Sequence, residues 1–237
     1  MTPTSRDARV AGFLYLFITA TGVFNLIYAP GKLFVRGNAA ATASTILAHE
    51  SLFRTNLLVG VAGSVGFALL ALALYRLLEG VGRPCAVAMA ALVLVQVPQS
   101  FVSEVNNLAA LVLVRGAEFF SAFDKPQREA LAMLFLQLDH EADLVAQVFW
   151  GLWLFPLGLL VWRSRFLPRV IGGWLIANGF AYLANAFTGL LAPHYLGTVS
   201  RITFPVLFGE LAFALWLVIA GVRPRPPVEP GRSPAAG

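Results

Sequence analysis

Charge is scarce in this sequence. Asp, Glu, Lys and Arg make up 12% of its 237 residues, against 58% hydrophobic residues and a mean hydropathy of +0.76. A soluble globular chain carries about 25% charged residues, so too little charge is present to cover a water-facing surface, and the alternative is an outer surface that faces lipid. Cysteine is nearly absent. Cys85 is alone, which excludes an internal disulfide framework. Its place after Pro84 makes it a lipidation candidate by position only, with an ordinary small apolar residue as the default. The sequence has no Walker A loop, no Rossmann glycine pattern, no HExxH, no CxxCH and no GxSxG elbow. Nucleotide-cradling, zinc-protease, haem-attachment and hydrolase signatures are therefore missing.

What is present is a series of charge-free intervals long enough to span a bilayer, for which about 20 mostly apolar residues are needed. They are Val10–Gly31, Thr55–Tyr75, Pro84–Ser103, Leu144–Trp162, Val170–Ser200 and Ile202–Val222, the last broken by one charge, Glu210. Val170–Ser200 contains "PHYLG", which reads as a turn. The first interval is too long for a signal h-region and holds Asn25 and Tyr28, so it reads as a retained helix. The expected fold is all-α: a six-helix transmembrane bundle formed by residues 1–222 as one membrane domain.

The net charge of +5 does not point to nucleic acid, because the arginines sit at helix ends. Six spans place Arg6, Arg9, Arg76, Arg83, Arg163, Arg165, Arg169, Arg223, Arg225 and Arg232 on one side, ten of the seventeen basic residues. The short loops "EGVGRP" and "RSRFLPR" carry the bias most clearly, so both termini are expected to be cytoplasmic. Residues 223–237, "RPRPPVEPGRSPAAG", are Pro-rich and charged, and are expected to be a disordered tail. No 20–50-residue repeat and no three-plus-three inverted repeat is evident, which weighs slightly against a transporter.

Polar residues concentrate in the outer half of these spans. Gln96, Ser100, Ser103 and Asn107 share one helical face, as do Asp139, Asp143 and Gln147, then Asn178, Tyr182 and Asn185, and Thr21, Asn25 and Tyr28. Polar stripes facing lipid would leave amides unsatisfied, so these should face one another across the bundle. Two readings stay open: mutual interhelical hydrogen bonding, or a solvated cavity open to the outside. Glu210, placed about 13 Å below the outer end of the last helix, needs a partner or water. Arg54, at the outer end of the second helix, is the expected partner. The candidate pocket residues are Arg54, Glu210, Glu104, Asn107, Asp143, Asn25, Asn185 and Tyr182.

The stretch "DHEAD", Asp139–Asp143, could suggest a metal site. Asp139 and His140 are adjacent, however, and point about 100° apart on a helix, so they do not readily serve one metal. His49 and His194 show no helpful spacing. No metal and no cofactor are expected. Asp139, Glu141 and Asp143 are expected at the outer interface, mainly hydrated, with Asp143 alone lining the pocket mouth. Gly60, Gly63 and Gly66 read as a small-residue face for close helix packing.

The segments "RVAGFLYLFITATGVF", "ILAHESLFRTNLLVG", "ALALYRLLE", "VFWGLWLFPLGLLVWRSRFLPRVIGGWLIANGFAYL" and "FGELAFALWLVIAGV" occur in order from Arg9 to Val222. Together they resemble the bacterial membrane-protein family called domain of unknown function 4386. The resemblance implies a multi-span bacterial inner-membrane protein with no established activity. Arg54, Tyr75, the "RSRFLPR" loop and Glu210 fall on landmarks of the family pattern. Trp153 stands where many relatives place a histidine, so no mechanism requiring that histidine carries over. The "DHEAD" cluster is not carried over either. Three functional classes remain: a small-solute binding or transport protein, an intramembrane enzyme acting on lipid, and a structural or partner-binding subunit. The first is favoured, with the lipid bilayer and a small-molecule ligand as partners and no nucleic acid.

Overall fold

The computed structural model describes residues 4–222. The Pro-rich tail, with Arg223, Arg225 and Arg232, lies outside them. Every regular element among the described residues is helical, and five helices are long and apolar enough to cross a membrane.

The first, α1 (Ser5–Val23), begins with a reciprocal cap: the Asp7 N–H donates to the Thr4 hydroxyl at 3.1 Å, and the Thr4 N–H donates to the Asp7 carboxylate at 3.2 Å. It passes through a π-helical turn, Phe24–Tyr28, into α2 (Ala29–Leu33). Pro30 has no N–H to donate into the preceding turn, and the wider π turn absorbs that break. An extra residue in the turn rotates the downstream helix by about 100°. Tyr28, expected on the stripe of Thr21 and Asn25, is accordingly turned outward and 51% exposed.

After α3 (Ala39–Ala48) comes α4 (Glu50–Arg115), a 66-residue run. Straight, it would extend about 99 Å. It is instead broken at Gly82, whose backbone is extended (φ −176°, ψ 92°), with Pro84 opening the second arm. Glu50 at one end meets Arg115 at the other, with Arg115 Nη2 2.8 Å from Glu50 Oε1. Likewise a Cβ at Gly60 would overlap the carboxylate of Glu104. Gly82 lies midway between the members of each pair. Thus α4 is a helical hairpin of two antiparallel arms.

The next helix starts earlier than expected. Asp124 caps α5 (Lys125–Leu152), exchanging hydrogen bonds with Gln127 at 2.8 and 3.0 Å. "DHEAD" therefore lies mid-helix rather than at a helix entrance. α5 continues through Trp153 into α6 (Leu154–Arg163), and α7 (Arg169–Leu191) packs back along it. Backbones of α6 and α7 nearly touch at Gly158 and Gly172, where a Cβ on either would lie 2.7 Å from the other's carbonyl oxygen. The "PHYLG" segment is helical rather than a turn. The chain reverses at Ala192, and Pro193 opens α8 (Pro193–Thr203). A 3₁₀ turn, Phe204–Leu207, leads into α9 (Phe208–Ile219).

Burial separates into two apolar clusters. One gathers Ala8, Tyr15, Leu70, Leu74, Leu78, Met89, Trp153, Leu157, Leu160, Phe213, Leu217 and Val222. It fills the half of the bundle where the chain's two ends meet, the Ser5 hydroxyl donating to the Val222 carbonyl at 3.4 Å. The other gathers Ala29, Leu33, Ile46, Phe53, Leu111, Ala132 and Leu136. It forms a cap at the opposite end from α2, α3, both ends of α4 and the start of α5.

Candidate functional site

Between the two apolar clusters the same four helical segments carry polar side chains. On α1, Thr21 and Asn25 fall between Ile18 of the lower cluster and Ala29 of the cap. On the first arm of α4, Asn56 and Gly60 lie between Phe53 and Phe67, and on the second, Gln96 to Asn107 lie between Val93 and Ala110. On α5, Asp139, Asp143 and Gln147 lie between Leu136 and Trp153.

The geometry of this layer begins at Gly60. A side chain there would overlap the Glu104 carboxylate and touch the Asn25 amide. Gly60 is therefore less a helix-packing surface than a recess that lets Glu104 and Asn25 meet. The π turn that contains Asn25 falls at this level of α1. Across the α4–α5 contact, Asp139 faces the Ser103 hydroxyl and the Asn107 amide, and Asp139 and Asp143 both lie within electrostatic reach of Glu104. The Gln99 amide clamps the two elements by donating to the Ala142 carbonyl at 2.9 Å. Glu141 points away and accepts from Gln137 at 2.8 Å. The expectation that Asp143 alone turns inward is corrected: Asp139 does so too, because α5 is already helical and its i, i+4 pair shares the inner face.

Of the eight candidate pocket residues, four meet here: Asn25, Glu104, Asn107 and Asp143. Two others form a second group. Glu210 Oε2 accepts from the Tyr15 hydroxyl at 2.7 Å and Oε1 from the Asn178 amide at 3.2 Å, while the Tyr182 hydroxyl lies beside the same carboxylate. This group stands closer to the end where the termini meet than the outer-half placement expected from sequence. The reason is that helix precedes Arg201: the run starts at Pro193, which leaves Glu210 nine residues from Ile219, just as Asn178 is nine from Arg169.

The remaining two candidates lie elsewhere. The expected Arg54–Glu210 pair does not form. Arg54 Nε is 2.6 Å from Glu50, one helical turn away, and its side chain is 48% exposed. Glu50 bridges it to Arg115, which leaves Arg54 in the cap rather than in the bundle. Asn185 ties α7 to α8, donating to Thr203 at 2.9 Å and accepting from Ser200 at 3.0 Å. Sequence reasoning missed Tyr15 as a partner of Glu210, although a tyrosine inside an apolar helix is itself the signal that an acceptor is near. Among the described residues, no three His, Cys, Asp or Glu side chains are grouped to hold a metal ion.

The family described as Domain of unknown function (DUF4386) matches residues 10–221. This chain belongs to that family. A stretch of 74 residues of this DUF4386 chain is 32% identical to an uncharacterised protein of Archaeoglobus fulgidus, covering 31% of this chain and 43% of the relative. The chain thus spans less than half the length of that relative. No solved structure matches. Trp153 is 1% exposed and meets Tyr15 and Phe67 edge-on at centroid distances of 6.0 and 5.3 Å. It forms apolar wall beside the Glu210 group, which Tyr15 contacts.

Proposed function

We propose that this chain is a six-span membrane protein, both termini cytoplasmic, that binds a small polar solute in the layer between its two apolar clusters. Six crossings result from five membrane-length helices when the α4 hairpin is counted as two. The Ser5–Val222 contact supports an even number. The arginines of "EGVGRP" and "RSRFLPR" lie at that same end, since the Gly82 turn approaches Leu160, and this supports a cytoplasmic assignment. Counted along the helices, Asn25 is twenty residues from Ser5 and Asp143 twenty from Arg163, each about 30 Å. That is one hydrocarbon thickness, which puts the layer at the outer membrane boundary, under the cap.

The observation that carries the reading is that Glu104 of α4 lies within electrostatic reach of Asp139 and Asp143 of α5, with Asn25 of the π turn and Ser103 and Asn107 of α4 beside them. Water access tests the reading. In a Cys85→Ala background, Ser103→Cys and Asn25→Cys should react with a membrane-impermeant maleimide from the outer face, because a thiolate forms only where water reaches. Leu70→Cys, in the lower cluster, should stay unlabelled. If neither polar-layer cysteine reacts while an exposed loop control does, the layer is dry and the solute-binding reading is lost.

A further inference from the structure

Several side-chain oxygens of the polar layer have no hydrogen-bond partner among the described residues. Among the described residues, Asn25 Oδ1, Asn56 Oδ1, Gln96 Oε1 and Glu104 Oε2 are all buried and hold no hydrogen bond. Asn56 and Gln96 are only 8% and 3% exposed. Asn56 precedes Gly60 by one helical turn and so shares the face on which Glu104 and Asn25 meet. Gln96 shares the stripe of Ser103 and Asn107, the side chains that face Asp139. Buried acceptors in native structures are nearly always satisfied, and here those of Asn25, Asn56 and Glu104 are open around Gly60, while that of Gln96, eight residues before Glu104, lies about 12 Å nearer the lower cluster.

We infer that the layer is a binding site for a small monovalent cation, held at Gly60 by the unpaired oxygens of Asn25 and Glu104, with that of Asn56 one helical turn away. The inference rests on the solute-binding reading and gives the solute a sign. An anion would meet carboxylates and lone pairs. A neutral solute could fill the acceptors but would leave an ionised carboxylate without a counter-charge. The spans supply none, because no Lys or Arg occurs between Val10 and Gly31, between Thr55 and Tyr75, or between Pro84 and Asp143 apart from Arg115, Lys125 and Arg128 in the cap. His140, next to Asp139, is exposed. Mixed amide and carboxylate oxygens without a three-carboxylate metal cluster among the described residues suit a singly charged ion, either an N–H-bearing ammonium or a bare alkali ion.

The two sources separate in one experiment on the full chain in detergent micelles. Thermal unfolding is followed while methylammonium chloride, sodium chloride, tetraethylammonium chloride or acetamide is titrated at constant ionic strength. A saturable rise in Tm with methylammonium alone assigns an ammonium, and one with sodium assigns an alkali ion; either outcome supports the site. Tetraethylammonium, bulky and without N–H, should give no saturable rise. The responsive cation's apparent Kd should weaken at least tenfold in Glu104→Gln and be unchanged in Arg54→Ala. If Glu104→Gln does not fold, Asp143→Asn carries the same expectation. A saturable response to acetamide with both cations inert would overturn the cation assignment and leave solute binding standing. No saturable response to any of the four, in a protein whose Ser103→Cys is labelled from outside, would overturn the cation assignment alone.

Discussion

At the scale of single residues, the two acids that matter most are held in opposite ways. Glu210 is surrounded by neutral donors: two phenols and an amide. Glu104 has an oxygen with no hydrogen-bond partner among the described residues. Glu210 was legible in the sequence as the one charge in an apolar run, because an acid in a span must be compensated. Its partners were not legible, since Tyr15 lies 195 positions away and no local spacing links them. The nearest cation in the sequence pattern, Arg54, was a poor guide because Glu50 stands one turn away on its own helix, and a contact already made locally costs less ordering than one across a bundle. Two substitutions test this contrast. Tyr15→Phe should lower unfolding stability by about 1–3 kcal/mol, the range for leaving a buried acceptor without its hydrogen bond. Arg54→Ala should change it by less than about 1 kcal/mol, as for an exposed ion pair. A double-mutant cycle between Arg54 and Glu210 in thermal unfolding should show no coupling, and a coupling well above that surface range would mean the two side chains do meet.

Elements were legible where apolar length alone decides them and illegible where a cap or a proline sets the boundary. The charge-free intervals fall on the long apolar helices, because lipid leaves the backbone no other partner than its own helix, although the last helical run starts at Pro193 rather than Ile202. The start of α5 was missed although Asp124 and Gln127 form a capping box, a signal three residues wide hidden in a polar stretch. The same miss displaced "DHEAD" from mid-helix to a helix entrance. The glycines of α4 show a further limit, since sequence cannot say which glycine faces a neighbour. Gly80 has nothing within 4 Å of its would-be Cβ, whereas Gly60 has Glu104 and Asn25. Gly80→Ala should therefore stabilise the protein by about 0.5–1 kcal/mol through helix propensity. Gly60→Ala should gain less, because its methyl group must displace the Glu104 carboxylate and the Asn25 amide. Thermal unfolding of the two variants side by side would contradict the recess if Gly60→Ala proved as favourable as Gly80→Ala.

The whole molecule is two apolar bodies joined through a polar seam, and its arginines gather outside the seam. Four helical segments run from the lower cluster, through the seam, into the cap. The composition announced a membrane protein at once, but the cap was invisible in it: α3 and the first half of α5 are too short or too mixed to read as spans, and they pack through ordinary apolar contacts above the bundle. Orientation can be tested independently of the seam. The arginine bias predicts that reporter fusions after Gly80 and after Ser164 read cytoplasmic and that one near Lys125 reads on the opposite side. The Ser5–Val222 contact requires the N-terminal and C-terminal fusions to agree with each other whichever side they report. Disagreement between the termini would mean an odd number of crossings. That result would require one of the six segments to lie outside the membrane, and the α4 hairpin, whose two arms are paired from Glu50–Arg115 down to the Gly82 turn, would then have to enter or leave the membrane as a unit, so the segment excluded would have to be one of the other four.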